Sequence, residues 1–480
     1  LMSIEDDKIE AWLKEERFAD FRVSINKTRR MKAHVLSAQE ERILSLHSAN
    51  SGTFQQTFMD IDNIDLDFGE VDGEKLTHST WSKFMNSTDE KVREKAYKQY
   101  YKEYEKHQHV IARIYEGSVK NDIFSARARG YASSLERALY PDNMPKEVYT
   151  SLIQSVHDAF PVLHRYYALR AKLLGKTKLK HYDVYTPMVK AVNSRHTYEE
   201  AVAIIKEAVK PLGEDYSQIL VKGLLEDRWV DRYENKGKRS GAFSAGCFTG
   251  NPYILTNYEE EVLHSVFTLI HEGGHSMHSY FSAHNNPFPC YNYTIFEAEV
   301  ASTFNENLLQ NYLLKNAKSK EEEAYLLANN LDSIVATFFR QTMFAEFELL
   351  IHEAAENDTP ITVDFMRKTY RGLLESYFGP TLEFEDNSDM EGLRIPHFYR
   401  AFYVYKYATG IAASIALSQR VLNGGEQEKQ DYLTFLKSGG SRYPLEALRV
   451  AGVDMAKPDA VKAAAEYFGK LLDRLEEITG

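Results

Sequence analysis

The feature that most constrains this fold is the spacing of its apolar residues, which follows the period of an α-helix through most of the chain. Between residues 96 and 115, alanine, isoleucine and tyrosine side chains recur three or four positions apart, which is one face of a helix. Only 13 prolines and 25 glycines occur in 480 residues, so few positions would break such helices. We therefore predict a mainly α-helical fold, with the tyrosines packed along its helices.

Local signals predict where one long helix begins and where strands interrupt the helices. Ser87 and Glu90 have the spacing of a capping box, which predicts a helix start ahead of the tyrosine-rich segment. Between residues 241 and 258, glycine, asparagine and proline separate short apolar runs, which predicts two short strands and a turn. A weaker alternation over residues 178–187 predicts one more strand.

Composition excludes several classes of protein. The chain has 58 basic and 70 acidic residues, a net charge of -12, which argues against a nucleic-acid partner that needs a basic face. Two cysteines, Cys247 and Cys290, are too few for a disulfide scaffold or a cysteine-rich zinc module. No apolar run reaches the roughly 18–20 residues of a membrane span, and the first residues lack the pattern of a signal peptide. These features predict a cytoplasmic protein without a membrane partner.

The most informative motif is His271-Glu272-Gly273-Gly274-His275. Residues four apart lie on one face of a helix, so both imidazoles can reach one metal ion. Glu272 adjoins the first histidine and can act as a general base on a water molecule. The composition gives roughly 0.08 chance matches to such a pattern in a chain of this length, so an accidental match is a poor explanation.

A site with two histidines requires a third protein ligand, commonly a carboxylate. The metzincin pattern is excluded, because the chain has His278 and Phe281 where that pattern has glycine and histidine. If residues 296–306 are helical, Glu299 and Glu306 share a face, and helical periodicity leaves both as candidate ligands. His278 lies one turn further along the metal face, and we interpret it either as a residue that supports the metal ligands or as a wall of the substrate pocket, rather than as a ligand.

Several separated segments together resemble one known family, the thimet-oligopeptidase-type zinc metallopeptidases, and within it the oligoendopeptidase F group. The likeness runs from about Trp12 to near the end of the chain, and five motifs occur in the family's order. The segments that carry it are residues 237–243, 252–258, 271–280, 296–303 and 395–410. The resemblance implies two mostly helical lobes that enclose a deep substrate channel, with a small β-sheet near the zinc helix. It also implies an N-terminal helical segment over residues 1–75 and a metallopeptidase domain over residues 76–475.

The resemblance also implies the composition of the active site. It implies one zinc ion per chain, bound by His271, His275 and Glu299. It implies that His397 and one tyrosine of the pair Tyr403 and Tyr405 face the zinc. We favour Tyr405 as the donor to the oxyanion and Tyr403 as a substrate contact.

An extended peptide can bind by forming backbone hydrogen bonds with an exposed edge strand. Residues Gly241 and Ala242 could present such an edge. Backbone hydrogen bonds of this kind would allow cleavage that tolerates many sequences. We therefore assign Gly241 and Ala242 to substrate binding, together with His278 and Tyr403.

These expectations combine into a zinc-dependent endopeptidase that cleaves short, unfolded peptides. One alternative is a zinc exopeptidase of the dipeptidase or carboxypeptidase type, and another is a non-catalytic peptide-binding protein on the same scaffold. Glu272 argues against the binding protein, since binding alone needs no general base. A structural metal site is a further alternative, although such sites more often have four protein ligands.

The chain departs from the family in two respects. Family members carry further N-terminal sequence, which predicts either a shorter member or a truncated species here. Gly273 stands where an apolar side chain is usual, beside Gly274. Each glycine costs a helix interior ~1 kcal/mol relative to alanine, so we expect an effect on local packing.

Overall fold

A computed structural model describes residues 1–192 and 195–480. These residues are mostly helical with only small sheets, which confirms the predicted fold class. The helices of the first half are α1 (Asp6–Leu13), α2 (Arg22–Arg30), α3 (Ala38–Ser51), α4 (Thr53–Asp60), α5 (His78–Met85), α6 (Glu90–Ala128), α7 (Ser134–Leu139), α8 (Lys146–Asp158), α9 (Phe160–Leu173), α10 (Tyr198–Ala208) and α11 (Glu214–Leu225).

The second half contains the helices that position the active site. They are α12 (Leu263–Asn285), α13 (Ile295–Lys315), α14 (Lys320–Ile334), α15 (Arg340–Glu356), α16 (Val363–Phe378), α17 (Tyr405–Asn423), α18 (Glu426–Ser438), α19 (Pro444–Val450) and α20 (Asp459–Thr479). A π-helical turn, Val335–Phe339, joins α14 to α15, and a 3₁₀ turn, Pro396–Tyr399, precedes α17.

The longest helix, α6, has 39 residues and buries its tyrosine face. Tyr97, Tyr100, Tyr101 and Tyr104 are all at most 1% exposed, which confirms that the tyrosine stripe packs in the core. The predicted capping residue is wrong by two positions. Asp89, not Ser87, caps α6, because its carboxylate accepts a hydrogen bond from the N–H of Lys91 at 2.9 Å.

Within residues 1–192 and 195–480, the strands form three small sheets. They are β1 (Glu70–Val71), β2 (Glu74–Lys75), β3 (Leu179–Lys180), β4 (Val230–Asp231), β5 (Phe243–Ala245), β6 (Tyr253–Leu255) and β7 (Leu382–Glu383). The predicted pair of strands in residues 241–258 is confirmed as β5 and β6, which pair antiparallel with Ser244 opposite Ile254. In residues 178–187 only β3 is extended, and a 3₁₀ turn, His181–Tyr185, follows it.

The sheet β4-β6-β5 lies against α12, with β5 at its edge. Helix α12 packs on α13 and α18, and α13 in turn packs on α17, so α13 lies between the two helices that carry the site. One contiguous hydrophobic cluster includes residues from both halves of the chain. Among the described residues, no helix combines the length and apolarity that crossing a bilayer requires.

Candidate active site

Helices α12 and α13 bring the predicted metal ligands together. His271 and His275 project from the same face of α12, and Glu299 projects from α13 towards them. One ligand atom from each lies within 4.8 Å of the others, and His271 Nε2 is 3.7 Å from Glu299 Oε2. Two imidazoles and a carboxylate at this spacing form a donor set that can hold a metal ion.

Gly274 allows α12 and α13 to approach this closely. A Cβ atom at Gly274 would lie 2.7 Å from the carbonyl oxygen of Ala301 and 2.7 Å from Cα of Ser302, both backbone atoms of α13. Gly273 faces elsewhere, and its Cβ would meet a terminal methyl of Leu220 at 3.1 Å. We expected the two glycines to affect local packing. The effect is a close approach of the α12 and α13 backbones, and of the two glycines only Gly274 makes it possible.

Glu306 occupies the other side of His271. Its carboxylate accepts a hydrogen bond from Nδ1 of His271, which leaves Nε2 directed at Glu299. Burial would lower the pKa of His271, but Glu306, Glu299 and Glu272 outweigh it and raise the pKa to about 9. Helical periodicity left both glutamates as ligand candidates, and the structure gives them different positions. A carboxylate that orients the second nitrogen of a metal-binding histidine is a common supporting partner.

His275 is oriented by the backbone of α13. Burial and the neighbouring His271 lower its pKa to about 3, while the backbone of Ala298 lies beside its ring and opposes that shift. A neutral imidazole with one nitrogen already bonded has its second nitrogen available as a ligand. Contacts with Glu306 and with the backbone of α13 thus orient the two rings, and the residues present fit a divalent metal such as zinc.

Glu272 lies between the ligands and the edge strand. It is only 6% exposed, and burial is the main reason that its pKa is raised above the ordinary glutamate value. The backbone N–H of Ser244 in β5 lies beside its carboxylate and opposes that rise. Ser244 and Ser276 also join β5 to α12 through a contact of 2.8 Å between their hydroxyls. The carboxylate is thus fixed beside the metal ligands without being one of them.

Gly241 and Ala242 lead directly into β5. Gly241 is exposed and has a φ of +83°, and its carbonyl accepts a hydrogen bond from Nδ2 of Asn257 at 2.9 Å. In the part of the chain that the structure describes, β5 pairs with β6 alone. The structure therefore places the two residues at the start of an edge strand whose Ser244 contacts Glu272.

The interpretation of His278 as a pocket wall is wrong. His278 is fully buried, and its ring stacks on Tyr293 with the centroids 3.6 Å apart. Phe435 of α18 covers the ring, and burial lowers the pKa of His278 to about 3. The sequence placed it on the metal face of the helix, but one further turn carries it past the site and into the core.

The preference for Tyr405 as the donor is also contradicted. Tyr405 is 1% exposed and packs between Tyr149 and Phe296, at centroid distances of 5.1 and 6.1 Å. Its hydroxyl is buried with no hydrogen-bond partner among the described residues. Burial raises its pKa well above the ordinary tyrosine value, so this phenol is a core residue.

Tyr403 and Tyr407, unlike Tyr405, lie beside His397. The ring of exposed His397 lies 6.1 Å from the rings of both tyrosines, and the hydroxyl of Tyr407 donates a hydrogen bond to that of Tyr403 at 3.4 Å. Burial, the hydrogen bond to Tyr403 and the charge of Glu299 all raise the pKa of Tyr407, so its hydroxyl lies within electrostatic range of Glu299. Sequence reasoning missed Tyr407. Its spacing of four from Tyr403, which places two side chains on one helical face, was the signal available.

Comparisons with known proteins assign the chain to a family. Residues 83–467 match the family model for Peptidase family M3, and residues 1–68 match the model for Oligopeptidase F. The chain is 43% identical over 478 residues to an oligoendopeptidase F homolog of Borreliella burgdorferi. This match covers 100% of this chain and 81% of that protein. It is 42% identical over 484 residues to oligopeptidase PepF of Bacillus subtilis, with 100% of this chain and 72% of that protein covered.

A solved structure shows the same fold. The crystal structure of oligoendopeptidase-F from Enterococcus faecium superposes with a TM-score of 0.83 at 34% identity, over 100% of this chain and 82% of that one. The family models together match most of the chain, and the relatives exceed 40% identity over their whole matched length. The chain therefore belongs to peptidase family M3, in its oligoendopeptidase F group, and is a metalloendopeptidase.

Proposed function

We propose that the protein is a zinc-dependent endopeptidase that hydrolyses internal bonds of short, unfolded peptides. The observation that carries the proposal is the convergence of His271, His275 and Glu299 around one point, with the buried Glu272 beside them. The printed names of the relatives, oligoendopeptidase and oligopeptidase, support the substrate class.

Zinc is the metal that this donor set favours, with His271, His275 and Glu299 as its ligands and one ion per chain. When bound, zinc would acidify a water molecule and polarise the peptide carbonyl. Glu306 and the Ala298 carbonyl orient the two imidazoles, so the ligands need little rearrangement to bind the ion.

Glu272 is the general base of the proposed reaction. It accepts the proton of the attacking water and delivers it to the amine that leaves. The Ser244 N–H limits the positions that its carboxylate can adopt, and burial raises its pKa towards the range in which a carboxylate transfers protons efficiently near neutral pH.

His397, Tyr403 and Tyr407 supply donors for the oxyanion that develops on the peptide carbonyl. The three side chains lie together, and the charge of Glu299 is close enough to raise the pKa of Tyr407. Preorganised donors directed at a developing charge commonly contribute more to catalysis than any other single effect.

The substrate would bind as an extra strand on the edge of β5. Residues Gly241 and Ala242 begin that edge, and Ser244 in the strand contacts the general base. A peptide paired with β5 would therefore pass directly beside Glu272, in the channel that we expect between the helical lobes. Recognition through backbone atoms would allow cleavage of an internal bond without a contact to either terminus of the peptide. Such recognition favours the endopeptidase over the exopeptidase.

Fragment analysis of a peptide mixture tests the proposal. Unmodified peptides of graded length would be incubated with the protein, with and without a chelator, and the products identified by mass spectrometry. We expect internal cuts that the chelator abolishes and that zinc restores. Cuts confined to single residues or dipeptides at one end would support the exopeptidase alternative. Binding without cleavage would support the peptide-binding alternative. The Glu272→Gln variant serves as a reference for that result, because we expect it to bind peptides without cleaving them.

A further inference from the structure

The segment between His397 and Tyr403 contains an arginine that the proposed reaction does not use. The 3₁₀ turn Pro396–Tyr399 ends at Arg400, whose backbone N–H donates a hydrogen bond to the carbonyl of His397 at 2.9 Å. The guanidinium of Arg400 lies over the ring of Tyr403, with its central carbon 4.3 Å from the ring centre. Arg400 therefore contacts two of the three side-chain positions that we propose as donors to the oxyanion.

The backbone on both sides of Arg400 is held in place. The ring of Tyr399 stacks on an aromatic ring of α4 with the centroids 4.7 Å apart, and the N–H of Phe402 donates to the buried carboxylate of Glu348 at 3.0 Å. The contact with the face of Tyr403 orients the guanidinium plane as well. A side chain that is already oriented loses less conformational entropy when it binds a ligand.

The charge of Arg400 has no partner among the described residues. None of their carboxylates forms an ion pair with it, whereas the neighbouring cation, Lys406, pairs with Asp142 at 2.9 Å. Stacking engages the face of a guanidinium and leaves its in-plane N–H groups free to donate. Arg400 is exposed, so these donors are accessible to a ligand.

The charge of Arg400 acts on the side chains of the site. Burial is the main cause of the lowered pKa of His397, and the positive charge of Arg400 lowers it further. Burial raises the pKa of Tyr407, and Arg400 opposes that rise. The guanidinium is thus within electrostatic range of both side chains, and a group bound to it would lie close to a peptide bond held beside them.

We propose that Arg400 binds a carboxylate of the peptide substrate and thereby determines which peptides are preferred. A carboxylate can accept two parallel hydrogen bonds from one guanidinium, which matches both its shape and its charge. A carboxylate within three residues of the cleaved bond lies within roughly 10 Å along an extended chain. This inference rests on the proposed function, because it concerns the substrate of the same site.

The carboxylate could belong to an acidic side chain or to the C-terminus of the peptide. Three kinds of quenched fluorescent peptide of equal length separate these sources. The first is a neutral peptide with an amidated C-terminus, and the second carries one glutamate in turn at each of three positions on either side of the cleaved bond. The third is the neutral peptide with a free C-terminus. Mass spectrometry of the fragments checks that the same bond is cut in each.

Arg400→Gln removes the charge and the fork of donors. In the wild type, we expect kcat/KM to be roughly tenfold higher for at least one peptide with a carboxylate than for the neutral amide. Arg400→Gln should abolish this preference and leave the neutral amide within about twofold of the wild type. A gain with glutamate at one position identifies a side chain as the source, and a gain with the free C-terminus alone identifies the terminus.

Charge reversal separates recognition from a structural defect. Arg400→Glu should cleave a peptide with lysine at the preferred position better than the peptide with glutamate there, whereas a distorted site would lower the rates for all peptides alike. Arg42→Gln is the matched control. Arg42 lies on α3, is also exposed and forms no ion pair with a carboxylate of the described residues, so its replacement should leave every preference unchanged.

Binding to the Glu272→Gln variant provides a measurement that does not depend on cleavage. Fluorescence anisotropy would give Kd for the same peptides, with and without the additional change Arg400→Gln. Binding that depends on the carboxylate and on Arg400, without cleavage by the wild type, would support the arginine site and overturn the proposed peptidase. Cleavage of all peptides with no carboxylate preference, or with a preference that Arg400→Gln leaves unchanged, would overturn the arginine site and leave the proposed peptidase intact.

Discussion

Glu348 of α15 accepts a hydrogen bond from the backbone N–H of Phe402 at 3.0 Å, and Phe402 has a φ of +58°. A positive φ is unfavourable for a bulky residue, so the turn persists because its surroundings stabilise it. Glu348 is fully buried, and the turn that it holds ends immediately before Tyr403. A carboxylate in the core thus fixes the direction in which the chain enters the active site.

Replacing Glu348 should change how stability depends on pH. Burial raises the pKa of Glu348 well above its ordinary value of 4.5, so the folded chain binds this proton more tightly than the unfolded chain. The free energy of unfolding should then fall as pH rises from 4.5 towards the raised pKa. Glu348→Gln keeps an oxygen acceptor and should remove this contribution, whereas Glu348→Ala should cost about 1–3 kcal/mol at every pH. Urea unfolding at several pH values measures both effects. Equal pH dependence in the wild type and Glu348→Gln would contradict the assignment.

Gly274→Ala should impair metal binding, whereas Gly273→Ala should not. The added methyl at position 274 would meet backbone atoms of α13 at 2.7 Å, so α13 must move and take Glu299 with it. We expect a loss of about 1–3 kcal/mol in stability and a clear fall in zinc affinity. At position 273 the methyl meets the flexible end of Leu220, and better helix propensity should offset that contact. Thermal unfolding and metal analysis of both variants check this, and equal zinc affinity in the two would show that the close approach of the helices is unimportant.

Glu272→Gln should reduce kcat by about 10²–10⁴-fold, because it removes the group that accepts the proton of water. Zinc content should remain near that of the wild type, since Glu272 lies beside the ligands and is not among them. Steady-state kinetics on a quenched fluorescent peptide, together with metal analysis of the same sample, separate the two roles. Activity within tenfold of the wild type would exclude Glu272 as the base.

Tyr407→Phe should lower kcat by about 10²-fold with little change in KM, because a donor to the oxyanion acts mainly in the transition state. Tyr403→Phe should have an effect of similar size, since the Tyr407 hydroxyl donates to the Tyr403 hydroxyl and leaves the proton of Tyr403 free for the oxyanion. Tyr405→Phe is the control, and it should leave kinetics unchanged because that hydroxyl is buried without a partner. A large loss of kcat in Tyr405→Phe alone would restore the interpretation made from sequence.

Glu306→Gln should weaken zinc binding about 10–100-fold, the usual effect of losing a carboxylate that orients a histidine ligand. Glu299→Ala should weaken it further, because that change removes a ligand. Competition with a fluorescent chelator gives both affinities. The reverse order would mean that Glu306 is the ligand.

The sequence was enough to place the two histidines of the proposed metal site on one face of α12, because residues four apart in a helix need no tertiary information to share a face. It could not separate Glu299 from Glu306, since both lie on one face of α13 and the crossing of α12 and α13 decides which one reaches Nε2 of His271. It failed at Tyr405 because α17 begins there and the preceding turn includes the positive φ of Phe402. Periodicity describes the inside of a helix, whereas the direction of its first residues depends on the packing of other elements.

The position of β5 at the edge of its sheet has a consequence for the products of the enzyme. Side chains of an added strand alternate between two faces, so a peptide that slides by one residue presents every side chain to the opposite face. A slide of two residues restores the original pattern beside Glu272. In the proposed mode of binding, a peptide whose large side chains alternate with small ones would therefore be cut at positions separated by two residues, because a shift of one residue would exchange the side chains that lie on the two faces of the added strand.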